Sequence, residues 1–520
     1  MKNALYSEVL FPHLIVDALT KNDDQPCLYL GDKTATYRQV RHKVSQYSQA
    51  LSNKGIGAGT RVAVLSGNCP EVVFFQLAAN VLGCCITPLH PLGSLEDQAY
   101  ILNDASIELL VFDPAAYGKR AEALKQAASG CNSFLAFGNT QLGEDLASLA
   151  EALDPVPLSA PDIRPTDINN VVYTGGTTGK PKGVVLSYTS LAYMTMMQMA
   201  EWDIPSGVRF LVVTPLSHAG LTCLVPTLLR GGCLYVMPSF NPDGFYDMVE
   251  EHRISATMLV PVLIYALLDS ERADSVDMSS MKSIFYGASP ISPLRLREAI
   301  EKWGQIFFQF YGQTEAPTCF ANLRREDHDL AIPGRLESCG RPSPWVTVAL
   351  LDDSGARVEI GQTGEICVRG PLLMQGYLND PEQTGEAFKD DWLHTGDIGR
   401  FDEEGFLYIV GRKKDLIITG GFNVFPREVE EVLSSHSDVR QAVVFGLPDD
   451  HWGEAVNAVV VLKPGAEKSD ELADSLRELV RVAKGSVQVP KAIHFANTIP
   501  LTPVGKPDKK QLVNDFVSMR

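Results

Sequence analysis

The run Tyr173-Thr174-Gly175-Gly176-Thr177-Thr178-Gly179-Lys180-Pro181-Lys182-Gly183 concentrates groups that suit phosphate chemistry. Glycines carry no Cβ, so backbone N–H groups can close around phosphate oxygens, while threonines add hydroxyls and lysines positive charge. Two simpler phosphate signatures do not fit. A G-x-x-x-x-G-K-[ST] loop needs Gly where Thr174 stands and Ser or Thr where Pro181 stands. Pro181 also lacks the N–H with which a following helix would continue. The dinucleotide pattern G-x-G-x-x-G is absent from the run as well. A Gly/Thr-rich surface turn with no ligand is the bland alternative.

The elements that must position this loop are apolar strands. Val171-Val172 before it and Val184-Val185-Leu186 after it read as strand ends. Upstream, Thr36–Asn53 reads as a helix with Val40, Val44, Tyr47 and Leu51 on one face. Arg61–Leu65, Cys84–Thr87 and Leu109–Phe112 read as short strands, and Pro70 with Glu71 marks a helix start. The alternation predicts a layered α/β fold. Asp154–Asp167 reads as a linker, and Leu191–Ala200 as a helix whose four Met fill a core. Further strands at Phe210–Thr214, Lys282–Phe285 and Ile306–Phe310 each run into a loop carrying Gly, Thr, His or Glu. Ligands in open α/β sheets sit at the carboxyl ends of strands, so these loops are expected to converge with the glycine loop on one site.

From Ile332 glycines recur among short β-rich runs, which predicts a β subdomain over about 332–411. Arg412-Lys413-Lys414-Asp415 reads as a boundary. Beyond it, helices at Pro426–Ser434 and Glu471–Val482 alternate with strands at Gln441–Phe445 and Val456–Leu462. The expected architecture is α/β: a large N-terminal domain of layered sheets with the β-rich subdomain (1–413), then a small α+β C-terminal domain (414–520).

The chain has 520 residues, 45% hydrophobic and 21% charged, with a net charge of −18. Such acidity argues against nucleic-acid binding, which relies on Lys and Arg to neutralise phosphates. Ten Cys without a C-x-x-C pair read as buried free thiols rather than a zinc site or disulfide scaffold, which fits a reducing cytoplasm. The first residues lack a basic stretch followed by a long apolar run, so no signal peptide is expected. Val72–Leu89 is the most apolar window, but Gln76, Asn80 and Pro88 make it a buried helix running into a strand rather than a membrane span. The C-terminus carries no S-K-L address.

Five motifs stand in one order: Tyr173–Gly183, Tyr311–Glu315, His394–Asp397, Gly411–Glu430 and Pro500–Lys506. Together, over nearly the whole chain, they resemble the adenylate-forming superfamily of acyl-CoA synthetases, carrier-loading adenylation domains and firefly-type luciferases. The resemblance implies that a carboxylate attacks the α-phosphorus of ATP, giving acyl-AMP and pyrophosphate, before the acyl group passes to a thiol. It implies an ATP site made of Thr174, Gly175, Gly176, Thr177, Thr178, Gly179 and Lys182 around the phosphates. Gly287, Ala288, Ser289, Tyr311, Gly312 and Gln313 would lie along the adenine, and Asp397 and Arg412 at the ribose. It further implies Thr314 at the α-phosphate, Glu315 as ligand of Mg2+, and Lys506 as the catalytic cation bridging substrate carboxylate and α-phosphate. His218, Tyr286 and Gly287 would border the acyl group. Lys414 is the implied hinge of a mobile small domain, and Gly420-Gly421-Phe422 the face where the thiol of CoA enters.

Two departures narrow the expectation. Gly175 replaces a Ser common in this loop, which removes one hydroxyl. The turn Pro215–Ala219 has no Asp to meet a substrate ammonium, which disfavours an α-amino acid. The leading expectation is therefore a CoA ligase for a fatty, aryl or other hydrophobic acid. The alternatives are an enzyme loading an acyl carrier protein, a luciferase-like oxygenase, and a nucleotide-binding relative without catalysis.

Overall fold

A computed structural model of the protein describes residues 8–31, 33–174, 180–217, 219–449, 451–501 and 507–518. Gly175–Gly179, His218 and Lys506 therefore lie outside the described residues.

Local sequence sets where the helices begin. Thr36 and Gln39 form a reciprocal capping box, with the Thr36 hydroxyl accepting from the Gln39 N–H (3.3 Å) and Gln39 Oε1 accepting from the Thr36 N–H (2.8 Å). The helix Tyr37–Asn53 follows, and Val40, Val44, Tyr47 and Leu51 are all buried, as their spacing predicts. Each such side chain contributes about 1.5–3 kcal/mol relative to leaving it in water. Pro70 opens Pro70–Val81 at the position where its missing N–H costs nothing, and Glu71 lies in the first turn.

Two large sheets carry the site. In the nine-stranded sheet, Cys233–Val236, Arg209–Val212, Ala256–Leu259, Ser283–Tyr286 and Phe307–Gln313 are parallel neighbours in that order. In the eight-stranded sheet, Cys85–Pro88, Arg61–Leu65, Leu109–Phe112 and Ser133–Ala136 are parallel. The strands Ile168–Thr174 and Lys182–Ser187 form an antiparallel pair on the same sheet, with Thr174 opposite Lys182. The glycine loop thus connects two paired strands, as the flanking valines predict.

The β-rich region forms a third, antiparallel sheet of Thr347–Leu351, Thr363–Arg369, Trp392–Phe401, Leu407–Arg412 and the short Phe388–Lys389. The two-residue strand Gly376–Tyr377 leaves this region and pairs with Lys182–Ser187. A fourth sheet begins at Ile417 and includes the long hairpin Val439–Asp449 and Gly453–Leu462. Val429 and Leu433 of the helix Pro426–Ser434 and Leu476 and Val480 of Asp470–Lys484 pack on it in a core of their own. All ten cysteines are free, and nine are buried, as expected. Among the described residues no helix is long and apolar enough to cross a membrane, and no cluster of three metal-ligating side chains occurs.

Candidate active site

Strand pairing brings Asp397 and Arg412 face to face, because the two residues are register partners across the hairpin Trp392–Phe401 and Leu407–Arg412. Arg412 Nε donates to Asp397 Oδ1 at 2.9 Å. On its other side, the hydroxyl of Tyr311 donates to Asp397 Oδ2 at 2.6 Å. The backbone N–H of Asp397 donates to Thr395 Oγ1 (3.1 Å), whose hydroxyl donates to the Ile366 carbonyl (2.6 Å). Asp397 is buried at 5% exposure, so its orientation is fixed from three sides. A carboxylate has about four lone-pair positions, so a carboxylate anchored by two donors still has room for two more. Burial and the neighbouring Asp397 charge push the Tyr311 phenol far above its ordinary range, which keeps it a hydrogen-bond donor.

The turn between Phe307–Gln313 and the antiparallel Ala316–Leu323 holds Thr314 and Glu315. Gln313 Nε2 donates to the Thr395 carbonyl at 3.3 Å, which ties this turn to the Asp397 strand. Glycine is required here by close approach. A Cβ on Gly312 would lie 2.5 Å from the Thr318 nitrogen, and one on Gly287 would lie 2.4 Å from the Phe310 carbonyl oxygen. The loop after Ser283–Tyr286 is also unusual in that Ala288 has φ of 66°, a left-handed conformation few non-glycine residues adopt. The loop that starts at Gly287 therefore leaves its strand beside Phe310, at the carboxyl ends of two adjacent parallel strands.

Tyr377 joins the site although no sequence motif marks it. Its hydroxyl donates to Glu315 Oε1 at 2.9 Å, and Lys182 Nζ sits 5.1 Å from the centre of its ring. It therefore couples the carboxylate of one loop to the lysine of the other. The Met374 N–H also donates to the Glu315 carbonyl (2.9 Å), so one segment positions both backbone and side chain of Glu315. Lys180 lies 5.5 Å from the centre of the Tyr100 ring. Replacing Tyr377 with Phe removes only the hydroxyl. The expected result is a loss of about tenfold in kcat/KM for acid activation, equivalent to one charge-assisted hydrogen bond. Unchanged kinetics in a folded Tyr377→Phe protein would remove Tyr377 from the site.

Lys414 falls in a single 3-10 turn, Lys413–Asp415. Desolvation, reinforced by the nearby positive charges of Arg412 and Lys182, lowers its pKa, so it lies on the same side as the site. Lys413 points elsewhere, to Asp353 at 3.0 Å and Glu365 at 3.5 Å.

One expectation needs correction. Tyr286 does not present its side chain to the loop. It is fully buried, with its hydroxyl 3.0 Å from Gln309 Oε1 and 2.8 Å from His328 Nε2. The strand alternates faces, so Phe285 and Tyr286 point to opposite sides, and Tyr286 belongs to the core around Phe307. The glycines of Gly420-Gly421 are explained by the backbone itself. They form the two-residue connection between Ile417–Thr419 and Phe422–Val424 with φ of 58° and 82°. Two positive φ values match a type I′ hairpin, which glycine fills without strain. Phe422 beside them is 60% exposed, and Trp452, whose carbonyl accepts from the Gly420 N–H at 2.8 Å, is 40% exposed.

His328 makes a pH prediction. Burial pushes its pKa down to about 4, while its Nδ1 lies 2.7 Å from the Arg324 carbonyl. The unfolded chain takes up this proton near pH 6.5, so stability falls as pH drops from about 6.5 towards 4, by roughly 3 kcal/mol. Chemical denaturation of the native protein and His328→Gln at pH 7 and pH 5 should show a smaller acid loss in the variant. Equal losses would exclude His328 as a source.

The family model for AMP-binding enzymes matches residues 16–378, and the model for the AMP-binding enzyme C-terminal domain matches residues 428–506. The chain belongs to the AMP-binding enzyme family. It is 47% identical over 508 residues to the medium/long-chain-fatty-acid–CoA ligase FadD8 of Mycobacterium tuberculosis, covering 96% of this chain and 88% of the relative. It is 33% identical over 479 residues to a feruloyl-CoA synthase of Amycolatopsis, covering 92% of this chain and 93% of the relative. Among solved structures, the amide bond synthetase McbA of Marinactinospora thermotolerans superposes with a TM-score of 0.88 at 34% identity, covering 96% of this chain and 99% of that one.

Proposed function

We propose that the protein is an AMP-forming acid–thiol ligase. It activates a carboxylic acid with ATP to an acyl-adenylate, releases pyrophosphate, and transfers the acyl group to the thiol of CoA. The observation that carries this reading is Asp397. A buried carboxylate held by Tyr311 and Arg412 beside the strand-end loops is a pre-oriented acceptor for the two ribose hydroxyls of a nucleotide. The relatives support the acid and thiol halves, since both curated ones are CoA ligases or synthases.

In this reading Gly287–Ser289 and Tyr311–Gln313 line the base, Thr314 contacts the α-phosphate, and the Thr174–Lys182 loop takes the departing phosphates. Glu315 would hold Mg2+ through its carboxylate, alongside the phosphates of the bound nucleotide. A single carboxylate suits that ion, which keeps waters and binds substrate phosphates rather than a protein cage, and the described residues offer no larger donor cluster. When bound, the ion supplies charge neutralisation on the phosphates. Lys506 completes the site from the C-terminal domain (414–520), which swings about Lys414 relative to the large domain (1–413). The thiol then reaches the adenylate past the Gly420-Gly421 hairpin, where Phe422 and Trp452 are available to a pantetheine arm.

The experiment is pyrophosphate release over a panel of carboxylic acids, each with no acceptor, with CoA, with a phosphopantetheinylated carrier protein, or with an amine. Acid-dependent release with thioester formed only on CoA is the expected result. Thioester on the carrier alone, or amide on the amine alone, would reassign the second half-reaction. Acid-independent nucleotide turnover would overturn the first.

A further inference from the structure

The helix Tyr188–Glu201 carries a polar stripe that the proposed reaction does not use. Thr195 and Gln198 are both fully buried at 0% exposure, and Trp202, at the helix C-cap, is buried at 2%. They stand at i, i+3 and i+7, so they share one face. Thr195 Oγ1, Gln198 Oε1, Gln198 Nε2 and Trp202 Nε1 make no hydrogen bond among the described residues. Buried polar groups are satisfied in the great majority of cases, and an unmet one is costly. A glutamine with neither end engaged, flanked on the same face by two further unmet groups, is a strong departure from that rule.

The N-terminal half of the same helix touches the segments that hold Glu315. At the helix N-terminus, the Ser190 hydroxyl donates to the Leu373 carbonyl, next to Met374, whose N–H holds the Glu315 carbonyl. One turn on, the Cys319 thiol reaches the Met194 carbonyl at 3.9 Å, four residues after Glu315. At the C-terminal end Trp202 stacks on Phe310 (5.0 Å), the residue before Tyr311, and on Phe285 (4.8 Å), in the strand Ser283–Tyr286 that precedes Gly287. An acyl group whose carboxylate meets the α-phosphate near Thr314 would run along this helix. Met194 and Met197 of the same helix are also buried. Their unbranched side chains can repack to admit a chain, which β-branched residues could not do as easily.

We infer that Thr195, Gln198 and Trp202 recognise an oxygen function on the tail of the acid, so that the preferred substrate is a carboxylic acid bearing a hydroxyl or oxo group on an otherwise apolar skeleton. The inference rests on the acid-activating reading above. The donor and acceptor inventory matches: the amide of Gln198 offers both a donor and an acceptor, the Trp202 indole a donor, and the Thr195 hydroxyl either. All three are neutral, which suits a neutral oxygen function. A plain hydrocarbon tail would leave these groups unmet, whereas an oxygenated one would satisfy them, and sites built this way discriminate strongly against the analogue lacking the polar group.

The test is kcat/KM for pyrophosphate release over matched acids: straight-chain acids, the same acids with a hydroxyl or oxo group moved stepwise along the chain, and aryl acids with and without a ring hydroxyl. At least one oxygenated isomer is expected to exceed its parent by about tenfold or more. Gln198→Leu should collapse that ratio to within about twofold, and the gentler Trp202→Phe, which deletes one N–H donor while keeping an aromatic ring, should reduce it partway. Thermal unfolding of both variants identifies any loss due to misfolding, and the ratio in the variant that folds then decides. Parent acids equal to or better than every oxygenated isomer would overturn the inference, as would a preference that survives both substitutions. Activation of plain and oxygenated acids alike defeats this inference alone; no acid-dependent pyrophosphate release at all defeats the acid-activating reading beneath it.

Discussion

Lys506→Ala is expected to lower acyl-adenylate formation by at least about a thousandfold while leaving thioester formation from supplied acyl-adenylate within a fewfold of native. The physical reason is charge. Adenylation brings a carboxylate against a polyphosphate, and the transition state gathers negative charge on the α-phosphate oxygens. A lysine bridging the two anions acts mainly there, so its loss falls on kcat rather than on binding of either substrate. The second half-reaction begins from a mixed anhydride whose phosphate carries less charge and whose attacker is a thiolate, so it has no need of that cation. Rapid-quench measurement of the two half-reactions separates them. Equal loss of both would mean that Lys506 holds the C-terminal domain in shape rather than serving the chemistry.

Asp397→Ala is expected to raise the Michaelis constant for ATP by about a hundredfold or more, the equivalent of losing two hydrogen bonds to an ionised acceptor. It also removes the partner of Tyr311 Oη and Arg412 Nε, two groups now held at 2.6 and 2.9 Å. Tyr311 is the more buried of these, so a stability loss of about 1–3 kcal/mol accompanies the kinetic effect. Asp397→Asn distinguishes the two consequences. It keeps the shape and one acceptor, so denaturant stability should largely recover while the Michaelis constant for ATP stays raised. A Michaelis constant for ATP unchanged in both variants would make Asp397 a purely structural anchor.

Legibility followed the range of the interactions. Leu109–Phe112 and Pro426–Ser434 match the residues expected from apolar period and the Pro start, because both signals are local. Longer elements overran the expected bounds. Val439–Asp449 and Gly453–Leu462 extend each other through cross-strand pairing, which reaches past the apolar run into Pro448 and Glu454. Tyr377 was invisible for the opposite reason. Its place depends on two residues pairing with a strand at Val184 and Val185 and on a contact with Glu315, and no nearby residue announces either. For Tyr286 the sequence does carry the signal. Period-two alternation puts it opposite Phe285, so only one of them could face the loop. The polar stripe on the Met-rich helix was likewise readable as i, i+3 and i+7 spacing, but only burial shows that its groups are unmet.

The first half-reaction turns on attack by a carboxylate oxygen at the α-phosphorus. The direct measurement is a turnover in which the acid carries heavy oxygen in its carboxylate, followed by mass analysis of AMP, pyrophosphate and any phosphate formed. One labelled oxygen in AMP, with none in pyrophosphate, is the predicted outcome, because the bond between the acyl carbon and the bridging oxygen breaks when the thiol attacks. Label in inorganic phosphate, or AMP without label, would contradict it.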